Sequence, residues 1–212
     1  MRGLLLNNFY SMEKGIRQSF IISIAAVALL LLAQNPLGLR AATFLPFLLI
    51  PINALEVLKH DRLSGWDKFE VTLPVSREKI IRSKYLTFLI LLVASAALLV
   101  VLFTVSDFAI APSLDATFVN FTLRGIGIVL CIAAATFFLT YMLGAEKSDT
   151  ITLMSGGFGI AVFFLVSSVL PGLIGTGAGY DRIFSISLVL IAGILFVISY
   201  ILSVILYKRK EF

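Results

Sequence analysis

Charge is scarce in this chain. Only 14% of its 212 residues are Asp, Glu, Lys or Arg, against about a quarter in soluble domains, and the mean hydropathy is +1.04. That composition excludes a water-soluble fold. Cysteine occurs once, as Cys131, so no intramolecular disulfide can form; inside an apolar run it reads as a small packing residue. Histidine also occurs once, as His60 between Lys59 and Asp61. It reads as a solvated loop residue and provides no ligand cluster for an intramembrane metalloprotease. No G-x-x-x-x-G-K-[ST] segment is present, so this chain holds no ATP in a P-loop of its own and any energy input must come from elsewhere. The paired carboxylates of a membrane-embedded enzyme are missing as well. The charged N-terminal stretch is followed by an apolar run with no small-residue cleavage site, so the first span is expected to stay. A net charge of +5 with pI near 9.5 would suit nucleic acid only if the basic residues shared one patch. They fall instead into separate blocks between apolar runs, so no nucleic-acid partner is expected.

What the sequence has in quantity is apolar text, 59% of all residues. A helix needs about 20 such residues to cross the hydrocarbon core of a bilayer, and every backbone polar group must be satisfied within it. The runs therefore predict an all-α polytopic membrane protein with six spans, at residues 18–33, 41–58, 85–105, 118–143, 150–170 and 183–207. Pro46 and Pro51 remove backbone donors from the second span and predict a bent or partly broken helix. Polar residues within the spans are sparse, chiefly Asn53, Glu56, Thr136 and Thr140, and no charged relay crosses the membrane, which weakens a proton-coupled transporter. From Gly125 to Leu143 the helix covers roughly 28 Å. That sets Arg124 at the outer interface, where a snorkelling role outranks an ion pathway.

Fourteen of the 17 Lys and Arg residues lie in the N-terminal segment, the loop 59–84, the short loop at Lys147 and the C-terminal tail. Basic residues of short loops stay on the cytoplasmic side. Both termini are therefore placed in the cytoplasm, and the connections near Asn35, at 106–115 and at 171–181 outside, as an even number of spans requires.

Three segments outside the spans carry organisation. In residues 1–17, Leu5, Phe9, Met12 and Ile16 form one apolar stripe, which predicts an amphipathic elbow helix in the interface or, alternatively, an inward extension of the first span. The loop 59–84 divides at Pro74. Its first piece sets Trp66, Phe69 and Leu73 on one face, opposed by Asp67, Lys68 and Glu70; its second has Ser76 as N-cap and Glu78 in the first turn and runs through Ile80 and Ile81 into the third span. Trp66 and Phe69 either anchor the loop on lipid headgroups or fill a groove on a cytoplasmic partner. The third segment, PGLIGTGAGYD at 171–181, is an outer loop or a short re-entrant hairpin.

The N-terminal LLLNNFYSMEKGIRQ, two spans joined by a short outer turn, and then GWDKFEVTLPVSREKIIRSKY resemble a known family. The chain looks like a bacterial ABC-2-type transporter permease, and more closely like the small six-span permeases exemplified by the phenol-soluble modulin exporter. The most specific text runs from Trp66 to Tyr85. The resemblance implies a plasma-membrane subunit that is not itself an enzyme. Two permease chains, copies or sisters, would form the passage, while separate cytoplasmic ATPase chains bind ATP and magnesium. It also implies that the loop 59–84 carries a coupling helix docking on the ATPase, with Trp66, Asp67, Lys68, Phe69, Glu70 and Leu73 in contact. Glu146, Lys147, Ser148 and Asp149 would form a second cytoplasmic contact. An apolar passage suits export of an amphipathic peptide or lipid-like compound. The alternative is a membrane scaffold or immunity protein that shares the fold without driving flux.

Overall fold

The computed structural model describes residues 2–32, 43–72, 74–110, 116–144, 147–175, 177 and 179–209. These residues form helices α1 (Arg2–Leu32), α2 (Leu45–Leu63), α3 (Trp66–Thr72), α4 (Arg77–Ile110), α5 (Ala116–Leu143), α6 (Ser148–Ile174) and α7 (Tyr180–Arg209), with no strand among them. Four are long and apolar enough to cross a membrane: Arg77–Val105 within α4, Phe118–Leu143 within α5, and all of α6 and α7. Each contains one of the last four predicted spans. The chain divides into two compact units, one of Met1–His60 with Arg82–Leu114, the other of Asp61–Ile81 with Asp115–Phe212.

In the first unit, α1 is one uninterrupted helix of 31 residues, about 46 Å long at 1.5 Å per residue. No break separates an elbow from the apolar residues that follow it. Gly15 does not break the helix, because a helical glycine costs only about 1 kcal/mol and this one lies against Asn53 of α2. The buried stripe is Leu4, Asn8, Met12, Ser19, Ser23 and Val27, which shares only Met12 with the stripe predicted for 1–17. Asn8 can be buried because its Nδ2 donates to Thr87 Oγ1 on α4 at 3.2 Å. A second polar contact joins α1 to α2, where Asn53 Nδ2 donates to Ser19 Oγ at 3.0 Å. The same amide reaches the carbonyls of Leu49 at 2.9 Å and Ile50 at 3.2 Å. Helix α2 runs through Pro51 without interruption rather than breaking. Val27 packs on Leu45 and Leu102 to close α1 against α2 and α4.

In the second unit, α5 and α7 pack along much of their length and α6 lies against α5. Lipid tails are as apolar as leucine, so association here relies on small residues, close packing and interhelical hydrogen bonds. Such bonds include Ser199 Oγ to the Ala134 carbonyl at 2.6 Å and Thr136 Oγ1 to Ser155 Oγ at 2.8 Å. Phe137 meets Phe196 edge-on at 6.4 Å, and Phe163 meets Phe184 at 5.4 Å. Cys131 is fully buried in this packing. By contrast α6 buries only Ile151, Ser155, Gly159 and Val166, and Leu153, Phe164, Leu165 and Leu173 stand exposed.

Within the glycine-rich segment, residues 176 and 178 lie outside the described residues. Residues 171–174 complete α6, which accommodates Pro171 and ends on Gly175 with φ 72°. The Gly175 N–H donates to the Pro171 carbonyl at 3.0 Å, and α7 restarts with Tyr180 N–H donating to Gly177. Gly175 and Gly179 (φ 94°) hold left-handed backbone that a side chain would strain.

Candidate functional site

The candidate site is built from the end of α2, the seven-residue α3 and the first turn of α4. The chain leaves α2 through Ser64, whose hydroxyl donates to the Asp61 carbonyl at 3.2 Å. Gly65, with φ 73°, turns it into α3, and Phe69 N–H closes the first α3 turn on the Gly65 carbonyl. Trp66 and Phe69 lie one turn apart, ring centroids 5.2 Å from each other and tilted by 42°. Phe69 is 53% exposed. Trp66 is half-buried, its indole N–H shielded from solvent and without a hydrogen-bond partner among the described residues. The pair is thus a broad apolar projection on a short helix, with Phe69 outermost.

Glu70 departs from the predicted arrangement. Sequence spacing set it on the polar face, available to a partner; the structure buries it to 1% exposure and engages it within the chain. A carboxylate removed from water needs partners inside the protein, and Glu70 is held there rather than displayed on the surface of α3. Asp67 and Lys68 belong to α3, but their side chains lie outside the described residues, as does Leu73. In the second expected contact, Glu146 lies outside the described residues. Lys147 and Asp149 are exposed at the start of α6, with Asp149 in its first turn accepting the Ser148 hydroxyl at 3.3 Å. A carboxylate there is favoured by the helix dipole.

Sequence reasoning missed what fixes this segment. Ser76 stands just before α4 and its carbonyl accepts from Lys79 and Ile80, with Glu78 in the first turn as predicted. The next residue, Arg77, reaches the far end of the chain: its Nη1 donates to the carbonyls of Tyr207 at 3.3 Å and Lys208 at 3.1 Å. Lys208 Nζ in turn bonds Glu78 Oε2 at 3.1 Å. Nothing in the sequence distinguishes Arg77 from the other basic residues of its loop. The available signal was general: the last carbonyls of a helix lack donors and attract cations, and α7 ends in a charged tail.

Arg124 is not a lone snorkelling cation. Its Nη2 pairs with Asp181 Oδ1 at 2.6 Å, its Nε donates to Ser185 Oγ at 3.2 Å, and its guanidinium carbon lies 4.8 Å from the Phe184 ring centroid. Arg124 therefore ties α5 to the start of α7. Between these ends, α5, α6 and α7 enclose an apolar groove of about 370 Å³ walled by Ala134, Phe138, Met154, Phe158, Leu195 and Leu202. Among the described residues, no three His, Cys, Asp or Glu side chains gather as metal ligands.

Long apolar helices and an aromatic projection on a short intervening helix are features that many membrane proteins could share. The sequence model of the ABC-2 family transporter proteins matches residues 3–208. The chain belongs to the ABC-2 transporter family. No curated protein and no solved structure matches it. Membership makes this a membrane component of an ABC transporter, a permease, and implies an ABC ATPase as partner. Such a component is a transport subunit and generally not catalytic itself.

Proposed function

We propose that this ABC-2 permease is the passage-forming subunit of a bacterial exporter, and that α3 is its coupling helix on the ATPase. The observation that carries the reading is the Trp66–Phe69 pair. A ring as large as Phe69, half-exposed on a seven-residue helix between α2 and a membrane-length helix, is a ready hydrophobic anchor for a protein groove. The second cytoplasmic contact is formed by Lys147 and Asp149. ATP and magnesium are bound by the partner, and this chain needs no cofactor.

In this reading there are six spans, with the apolar half of α1 and the proline-bearing α2 as the first two. Both termini and α3 face the cytoplasm of the plasma membrane. At about 46 Å, α1 exceeds the roughly 30 Å hydrocarbon thickness, so its first turns stand in the headgroup zone and serve in place of an elbow. Two copies, or this chain and a sister permease, enclose the passage. The apolar groove and the scarcity of fixed charge within the spans favour amphipathic peptides or other hydrophobic compounds as cargo.

The test is to solubilise the chain in mild detergent after co-expression with its chromosomal neighbours and to ask whether a P-loop ATPase is retained. Expected is retention by the wild type and loss with Trp66→Ala/Phe69→Ala, with membrane insertion unchanged. Retention by the double variant would return the aromatics to a headgroup-anchoring role. A chain that retains no ATPase would be a scaffold or immunity protein built on the same fold.

A further inference from the structure

We infer that Arg77 is a positioning residue that couples α3 to the last transmembrane helix, so that displacement of the docking helix is delivered to α7. The inference rests on the coupling-helix reading above and adds to it the route taken inside the chain. Its basis is a contact between residues 130 positions apart. Arg77 Nη1 is shared by two carbonyls, those of Tyr207 and Lys208, in the last turn of α7. Those carbonyls have no donor within their own helix, and the negative end of the helix dipole lies on the same atoms. A guanidinium donating there makes charge-assisted bonds, roughly twice as strong as neutral ones.

Glu78 and Lys208 form a parallel contact. Both side chains are more than half exposed, and such a pair contributes little on its own. Arg77, half-buried, is therefore the principal joint and the ion pair its guide. The joint is short on the side of α3: only Leu73, Pro74, Val75 and Ser76 separate Thr72 from Arg77, and proline limits the freedom of that link. It is firm on the side of α7 as well. Tyr207 is 6% exposed and its ring meets Tyr141 of α5 edge-on at 5.6 Å, so a pull on its backbone is felt by two membrane helices. Removal of the guanidinium should leave the Trp66–Phe69 surface intact while disconnecting it from α7.

Two measurements on the full chain test this. In the first, hydrogen exchange of the purified permease alone compares Arg77→Ala with the wild type. The amides of the last α7 turn should exchange about tenfold faster, as expected for loss of charge-assisted bonds. The outer end of α7, held by Arg124, should be unchanged, and Arg77→Lys should recover part of the protection. In the second, a fluorophore on Ile205→Cys, an exposed α7 position, reports the response of the permease–ATPase complex to ATP. Arg77→Ala should retain the ATPase and lose most of that response, with Arg77→Lys again restoring part. Unchanged exchange in Arg77→Ala, or a full nucleotide response at residue 205 in its intact complex, would overturn the inference. Failure of the coupling-helix reading is distinguishable, because it would show in the wild type as a missing complex or a silent fluorophore.

Discussion

Gly15→Ala should change the sign of its effect on stability with the residue at position 53. Gly15 lies where Asn53 of α2 meets α1, and a Cβ added there would overlap Asn53 Oδ1. The carboxamide, 7% exposed, would have to move, and with it the bonds to Ser19 Oγ and to the Leu49 and Ile50 carbonyls. At about 1 kcal/mol for each buried hydrogen bond, the loss is roughly 2–3 kcal/mol. Alanine returns about 1 kcal/mol through helix propensity. Gly15→Ala should therefore destabilise by about 1–2 kcal/mol in the native background. In an Asn53→Ala background nothing is left to collide with, and the same substitution should stabilise by about 1 kcal/mol. Interhelical hydrogen bonds in bilayers average nearer 0.6 kcal/mol, which would bring the native-background effect close to zero but leave the difference between backgrounds. Reversible unfolding in mixed micelles of rising SDS fraction, followed by circular dichroism, reads all four corners of the cycle. An equal shift from Gly15→Ala in both backgrounds would refute the close approach of α1 and α2 at this point.

In the second unit, Arg124→Ala should cost about 2 kcal/mol in the same unfolding assay, from one hydrogen bond to Ser185, one cation–π contact and one ion pair. Asp181→Asn should cost under about 1 kcal/mol, because its carboxylate is 74% exposed and such pairs are screened; equal losses would show that the ion pair, not the packing, dominates. The orientation is checked with a membrane-impermeant maleimide: Gly177→Cys should react in intact cells and Lys147→Cys only after permeabilisation. The opposite pattern would invert the proposed topology.

Much of the helical framework is legible in the sequence because lipid imposes one requirement, an apolar run long enough to cross, and composition alone reveals whether it is met. Hence the runs at 85–105, 118–143, 150–170 and 183–207 all fall within α4–α7. Where side-chain partners decide the outcome, the same reasoning fails. Asn8 looks like a residue of the polar face of α1, yet it is buried because Thr87 lies opposite. Pro51 looks like a break, yet α2 continues through it. Glu70 looks solvated from its spacing alone, and its burial follows from neighbours that a helical wheel does not contain. The apolar half of the candidate site, Trp66 and Phe69, was legible; the charged half depends on long-range contacts.

The long-range contacts also constrain how α7 can move. Its N-terminal end is tied to α5 through Arg124 and Asp181, its middle to the Ala134 carbonyl through Ser199, and its C-terminal end to the first turn of α4 through Arg77. A slide of α7 by one helical turn, about 5.4 Å, would break all three sets at once and leave a buried hydroxyl and two partly buried guanidinium groups without their acceptors. A tilt that carries α5, α7 and the first turn of α4 together preserves every one of them. If ATP-driven displacement enters through α3, rigid-body rocking of this unit is the motion that costs least. The polar contacts at the ends of α7 then act to hold its axial register, while the small and aromatic residues between them supply the packing that lets α5 and α7 move as one piece.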